Sequence, residues 1–141
     1  MQEAELQRQH LTSVLMQAPT PIAVLRGRDY VFNLVNPLTA QIWGRPSDAL
    51  INRPLFEALP EIRDRGFKEL LDGVYDSGVP YTGRETPLSI DRRGDGTLDT
   101  LYVNFVYTPL RNIRAEVEGI LVIAFDVTEE VLARERVQAH A

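Results

Sequence analysis

Cysteine is absent from this sequence. That removes disulfides, thiolate catalysis, cysteine-ligated zinc and any cysteinyl–flavin adduct. It fits a cytoplasmic protein. Histidine is nearly absent: only His10 and His140 occur, one near each end. Without a central histidine no Ser-His-Asp triad can be assembled, and no HExxH or other ligand cluster occurs. Long apolar runs are missing too. The longest, Ile120–Phe125, is far too short to cross a bilayer. The opening MQEAELQRQH lacks the basic-then-apolar order of a secretory signal. Basic charge is scarce: the net charge is −5, and Arg92-Arg93 and Arg111/Arg114 are short pairs beside turn signals. The expectation is no nucleic-acid partner and no direct membrane insertion.

What is present is the material of one globular domain. The 141 residues are 44% hydrophobic and 25% charged, enough for a real core. Glu3 to Gln17 reads as a helix, with Leu11, Val14, Leu15 and Ala18 on one stripe, stopped by Pro19 and Pro21. Two short strands follow, Ile22–Arg26 and Tyr30–Val35, joined as a hairpin by Gly27-Arg28-Asp29. Asn36 caps a helix with Pro37 at its first position, running to Trp43 and stopped by Gly44. Ser47 caps a further turn through Leu50, and a loose stretch follows, punctuated by Pro54 and Pro60.

Phe67, Leu70, Leu71, Val74 and Tyr75 make the cleanest helical stripe, ended by Gly78 and Pro80. From Tyr81 the period changes to two. Tyr81–Ile90 is a strand for which Pro87 suggests an edge or irregular pairing, Leu98–Leu110 a long strand with Leu101, Val103, Phe105 and Tyr107 on one face, and Gly119–Phe125 a last strand apolar on both faces, so that both faces should be covered. This order predicts an α+β domain: a five-stranded antiparallel sheet with short helices mainly on one face, and flanking helices at the N- and C-termini. The division is a flanking helix over 1–18, a core over 19–127 and a C-terminal helix over 128–141.

The stretch GILVIAFDVTEEVLAR turns from apolar to charged at Asp126. Asp126 and Glu129 have capping-box spacing, both charges suit a helix N-terminus, and Glu130 and Arg134 are spaced as an i, i+4 pair. Val127, Val131, Arg134 and Val137 or Gln138 trace a weak seam. It reads either as a short amphipathic helix or as the start of a coiled coil that continues beyond it.

No catalytic set emerges. Glu129-Glu130 and Glu61/Asp64 are placed at solvated helix starts, and Gly94-Asp95-Gly96 lacks the Lys-Ser/Thr of a phosphate loop. Arg93-Gly94-Asp95 spells an adhesion tripeptide, which a hairpin turn explains equally well.

The words VNPLTAQIWGRPSDALINRPLFEALPE, GFKELLDGVYDSGVPYTGRE, LYVNFVYTPLRN and EGILVIAFDVTE, in that order, resemble the PAS domain family. DVTE resembles the family's Asp-(Ile/Val)-Thr motif at the exit of the last strand. The form of the segment before the third strand is similar to PAS domains of bacterial sensor histidine kinases. The resemblance implies a sheet cradling a pocket and a sensor or interaction module, not an enzyme; a kinase's own phospho-acceptor and ATP motifs are absent. If the chain belongs to a two-component histidine kinase, it is the sensor part.

By the same resemblance Val103, Phe105, Tyr107, Val122 and Ala124 face the pocket. Trp43, Phe67, Leu71 and Tyr75 join them as candidate lining, although a stripe at helical spacing also serves as plain core. Leu121, Ile123 and Phe125 face outward, and with Leu11 and Leu15 they form the expected homodimer interface. Asp126, Thr128 and Glu129 are the expected signal-transfer residues, leading to an effector domain that follows. Light-sensitive members carry a cysteine and haem-binding members a pocket histidine; both cofactor modes are excluded here, no cofactor is expected, and an unknown small ligand is left open. The alternative is a constitutive dimerisation spacer with no ligand.

Overall fold

The computed structural model describes Ser13, Val14 and residues 16–139. Five strands form one sheet: β1 (Ile22–Arg26), β2 (Val31–Val35), β3 (Tyr81–Ile90), β4 (Asp99–Arg111) and β5 (Val117–Asp126). Their spatial order is β2-β1-β5-β4-β3, every neighbour antiparallel. The last strand in sequence therefore lies in the middle, as its two apolar faces require. Pro87 lies on β3, an edge strand, where its missing N–H costs no ladder bond.

The helices between β2 and β3 cover one face. They are α1 (Pro37–Trp43), a 3₁₀ turn at Ser47–Ala49, α2 (Leu55–Ala58), a 3₁₀ turn at Pro60–Ile62 and α3 (Phe67–Ser77). The stretch expected to be loose thus contains two short helical turns. On α3, Phe67, Leu71 and Val74 are buried, while Leu70 and Tyr75 are partly buried against the core. Burying side chains of this size stabilises by about 1.5–3 kcal/mol each before entropy is counted. The C-terminal helix α4 (Thr128–Ala139) follows β5 after a single residue.

One strand boundary differs from expectation for a local reason. Tyr30 has φ of 52°, in the left-handed region, and its N–H donates to the Gly27 carbonyl at 3.2 Å. It belongs to the turn, so β2 begins at Val31. The expected N-terminal helix lies mostly outside the described residues; Ser13, Val14, Met16 and Gln17 are helical.

Asn36 fixes the covering layer to the sheet. It is fully buried, and its Oδ1 accepts from Ile22 N at 2.9 Å and Thr39 N at 3.1 Å, while its Nδ2 donates to the Thr20 carbonyl at 2.6 Å. One side chain thus caps α1 and holds it against the start of β1. At the other end of α1, Gly44 has φ of 68°, and a Cβ there would come within 2.5 Å of the Arg92 carbonyl oxygen. Only glycine lets the β3–β4 loop lie so close.

Glu61 corrects a second expectation. Its side chain is only 7% exposed. It pairs with Arg45 at 2.6 Å and accepts from Asp91 N at 3.0 Å, linking the loop after α1 to the end of β3. The Arg93-Gly94-Asp95 tripeptide lies in an exposed turn. Asp91 accepts there from Gly94 N and Gly96 N, and Asp95 accepts from Thr97 N.

Candidate functional site: an apolar cavity and the anchor of the last helix

A cavity lies between the sheet's inner face and its helical cover. Trp43, Phe67, Val103, Phe105, Tyr107, Val122 and Ala124 line it, together with Ala23, Leu25, Phe32, Thr39, Ile42, Leu55, Ile62 and Leu88. The register explains the gathering. Phe105 pairs across the ladder with Ala124, Tyr107 with Val122, and Ala23 with Val122, so these side chains share one face at a period of two. The small Ala23 and Ala124 leave the space that bulkier residues would fill.

The cavity volume is about 50 Å³, counted as room for the centres of water-sized molecules. By volume that is space for roughly three to five waters. The walls are nearly all apolar and include no charged side chain. Such space does not hold water well, because each water needs two or more polar partners.

Two of the expected lining residues lie elsewhere. Leu71 is fully buried in the core but does not reach the cavity. Tyr75 packs edge-on against Tyr30 with ring centroids 6.2 Å apart, and the Arg28 guanidinium lies 4.2 Å above its ring. Phe67 stands at the first turn of α3, and Leu71 and Tyr75, one and two turns further along, lie beyond the cavity. Beside Tyr75, the Tyr30 hydroxyl donates to Asp72, which also pairs with Lys68. These bonds, Lys68 first, hold the Asp72 carboxyl below its ordinary range, while burial first and the Asp72 bond second raise the Tyr30 phenol.

The missed residues carried a weak signal. Ala23 and Leu25 alternate on β1, and Thr39 and Ile42 are three apart on α1. Both patterns are also those of ordinary core, and nothing in the sequence says that β1 lies beside β5.

The lining holds three polar side chains, those of Thr39, Trp43 and Tyr107. The Thr39 hydroxyl lies 2.9 Å from both the Ile22 carbonyl and Asn36 Oδ1. Tyr107 differs: it is 7% exposed, and burial pushes its phenol well above the ordinary tyrosine range.

The start of α4 is anchored on β4. Thr128 Oγ1 accepts from Tyr102 N at 3.0 Å and donates to Asp126 Oδ1, and Val127 N donates to the Tyr102 carbonyl at 2.8 Å. Asp126 also accepts from Thr128 N at 3.0 Å. The expected capping box is therefore shifted: Asp126 is the last residue of β5 and bonds two residues on. Glu129 is exposed, and among the described residues no bond returns from it to Asp126. Val131 is buried and brings α4 against β4.

Arg134 corrects the other helix expectation. It pairs not with Glu130 but, through Nη1 and Nη2, with Glu85 on β3. Glu85 stands at an irregularity in the β3–β4 ladder, with φ of 45° and its N–H given to Asn104 Oδ1 at 2.8 Å. The Arg134 bond lowers the Glu85 carboxyl below its ordinary range.

On the outer sheet face Leu121 and Ile123 are half-buried and Phe125 is 46% exposed. Leu11 and Leu15 lie outside the described residues.

The sequence profile of the PAS fold matches residues 15–132. The chain belongs to the PAS family. Its fold is shared with an RNA-binding light-oxygen-voltage receptor at 19% identity and a TM-score of 0.73, covering 96% of this chain and 37% of that one. A sensory box sensor histidine kinase from Vibrio cholerae matches at 19% identity and a TM-score of 0.58, covering 91% of this chain and 98% of that one. VqmA from the same organism, in complex with ligand and DNA, matches at 21% identity and a TM-score of 0.64, covering 85% of this PAS chain and 51% of that protein. Among the described residues no helix is long and apolar enough to cross a membrane, and no group of acidic residues and histidines is placed to hold a metal ion.

Proposed function

We propose that this PAS module is the sensor of a bacterial signalling protein, in which a small molecule in the cavity biases the position of α4 and so an effector joined after it. One observation carries the reading. Val103 lines the cavity, and its neighbour Tyr102 supplies both backbone bonds that anchor α4. A shift of β4 that widens or narrows the cavity moves the anchor by the same backbone. A ligand with different affinities for two such positions shifts their populations. Asp126 and Thr128 transmit the change, and Arg134–Glu85 gives α4 a second point of attachment. The histidine kinase among the structural relatives supports a two-component setting; the VqmA complex supports a ligand-responsive regulator.

A second reading, a dimerisation module without ligand, draws on the outer face. Phe125, with Leu121 and Ile123, leaves apolar surface for a second copy of the chain. The two readings separate by native mass spectrometry of the purified chain. The sensor reading expects a retained small molecule, or a thermal shift with small neutral compounds, that Ala124→Leu abolishes by filling the cavity. No retained mass and no shift across such compounds would leave the spacer reading.

A further inference from the structure

The polar groups facing the cavity indicate what its ligand carries. Among the described residues the Tyr107 hydroxyl has no hydrogen-bond partner, although the residue is 7% exposed. Its ring is held by Phe105, with centroids 4.8 Å apart. No side-chain polar atom sealed from solvent lacks a partner among the described residues, so this hydroxyl reaches open space. The half-buried Trp43 also lines the cavity, and its indole N–H has no partner among the described residues. An indole N–H can only donate, and a neutral phenol can donate as well as accept. Thr39, the other polar side chain of the lining, is engaged with the Ile22 carbonyl and Asn36. Both free groups of the walls can therefore donate a hydrogen bond, in an uncharged apolar setting.

Resting on the reading of the cavity as a ligand site, we propose that it takes a small, neutral, mostly apolar molecule bearing one hydrogen-bond acceptor, a carbonyl or ether oxygen, which accepts from the Tyr107 hydroxyl. A cation or a carboxylate is rejected, since no charged side chain is present to offset its desolvation. The acceptor fixes orientation and the apolar body supplies most of the affinity.

The test uses the full chain with cyclohexanone and methylcyclohexane, ring compounds of similar size of which only the first has an acceptor. Affinities are measured for wild type and Tyr107→Phe by NMR titration. The variant is expected to weaken cyclohexanone by roughly three- to tenfold, the worth of one hydrogen bond, and to leave methylcyclohexane unchanged. Equal effects on the two compounds overturn the role of the hydroxyl while leaving the cavity a ligand site. Binding of neither compound to wild type overturns the underlying reading as well. The infrared carbonyl stretch of cyclohexanone bound to wild type needs no variant: a shift to lower frequency than in hexane supports the bond, and an unshifted stretch overturns it.

Discussion

Tyr102 bonds the start of the last helix through its backbone N–H and carbonyl, which no substitution of its side chain removes. Thr128 is the position that tests this anchor. Its hydroxyl links Tyr102 N to Asp126. Thr128→Val keeps the shape and leaves a partly enclosed N–H without its acceptor, so it is expected to destabilise by about 1–3 kcal/mol in urea denaturation. A loss near zero would mean that water replaces the hydroxyl. At this scale the sequence was partly legible. Asp126 and Thr128 are found at the strand exit, where the DVTE word put them. Among the described residues Glu129 returns no side-chain bond to Asp126, because the helix starts at Thr128, after Val127, and the capping spacing slips by a residue. Arg134 shows the limit of local rules: i, i+4 spacing names Glu130, but the fold brings Glu85 closer from 49 residues away.

Between elements, α4 rests on β4 through the Thr128 anchor and Val131, and on β3 through Arg134–Glu85. The ion pair is exposed, so salt and solvent weaken it, and its role is to hold position. Its pH dependence has a definite sign. The Glu85 carboxyl is lowered by Arg134 from its ordinary value of 4.5, so the contact is complete above that value and is lost as pH falls through the lower folded value. Carbon-13 NMR should show Glu85 titrating below 4.5 in wild type and returning toward it in Arg134→Gln. Identical titrations in both proteins would contradict the contact. The helices and strands themselves were legible from periodicity and stop signals: α1 and β3 match their expected spans, and β5 extends by two residues at its start and one at its end. The short turns at Leu55–Ala58 and Pro60–Ile62 were hidden because prolines and four-residue helices carry no period.

As a whole molecule, the sheet has one covered face and one face whose apolar residues are only half covered among the described residues. The two-sided apolarity of β5 predicts a central strand covered on both faces; β5 is central, but among the described residues its outer face is covered only in part. Periodicity could not separate the residues that line the cavity from those that fill the core. Leu71 and Tyr75 illustrate the point: both share the helical stripe with Phe67, and only Phe67 reaches the cavity. If the outer face joins two copies, Phe125→Glu places a charge in the joint and yields monomers by light scattering; an unchanged dimer would remove Phe125 from the interface. The central claim is that the cavity wall and the α4 anchor move together. Hydrogen exchange compared between wild type and Ala124→Leu tests it most directly, because the larger side chain presses on the cavity from within. The Val127 and Val131 amides are expected to change exchange rate by at least about threefold beyond any change shared with the β1–β2 hairpin. Exchange at Val127 and Val131 that follows the hairpin, with changes confined to the cavity-lining strands, would contradict it.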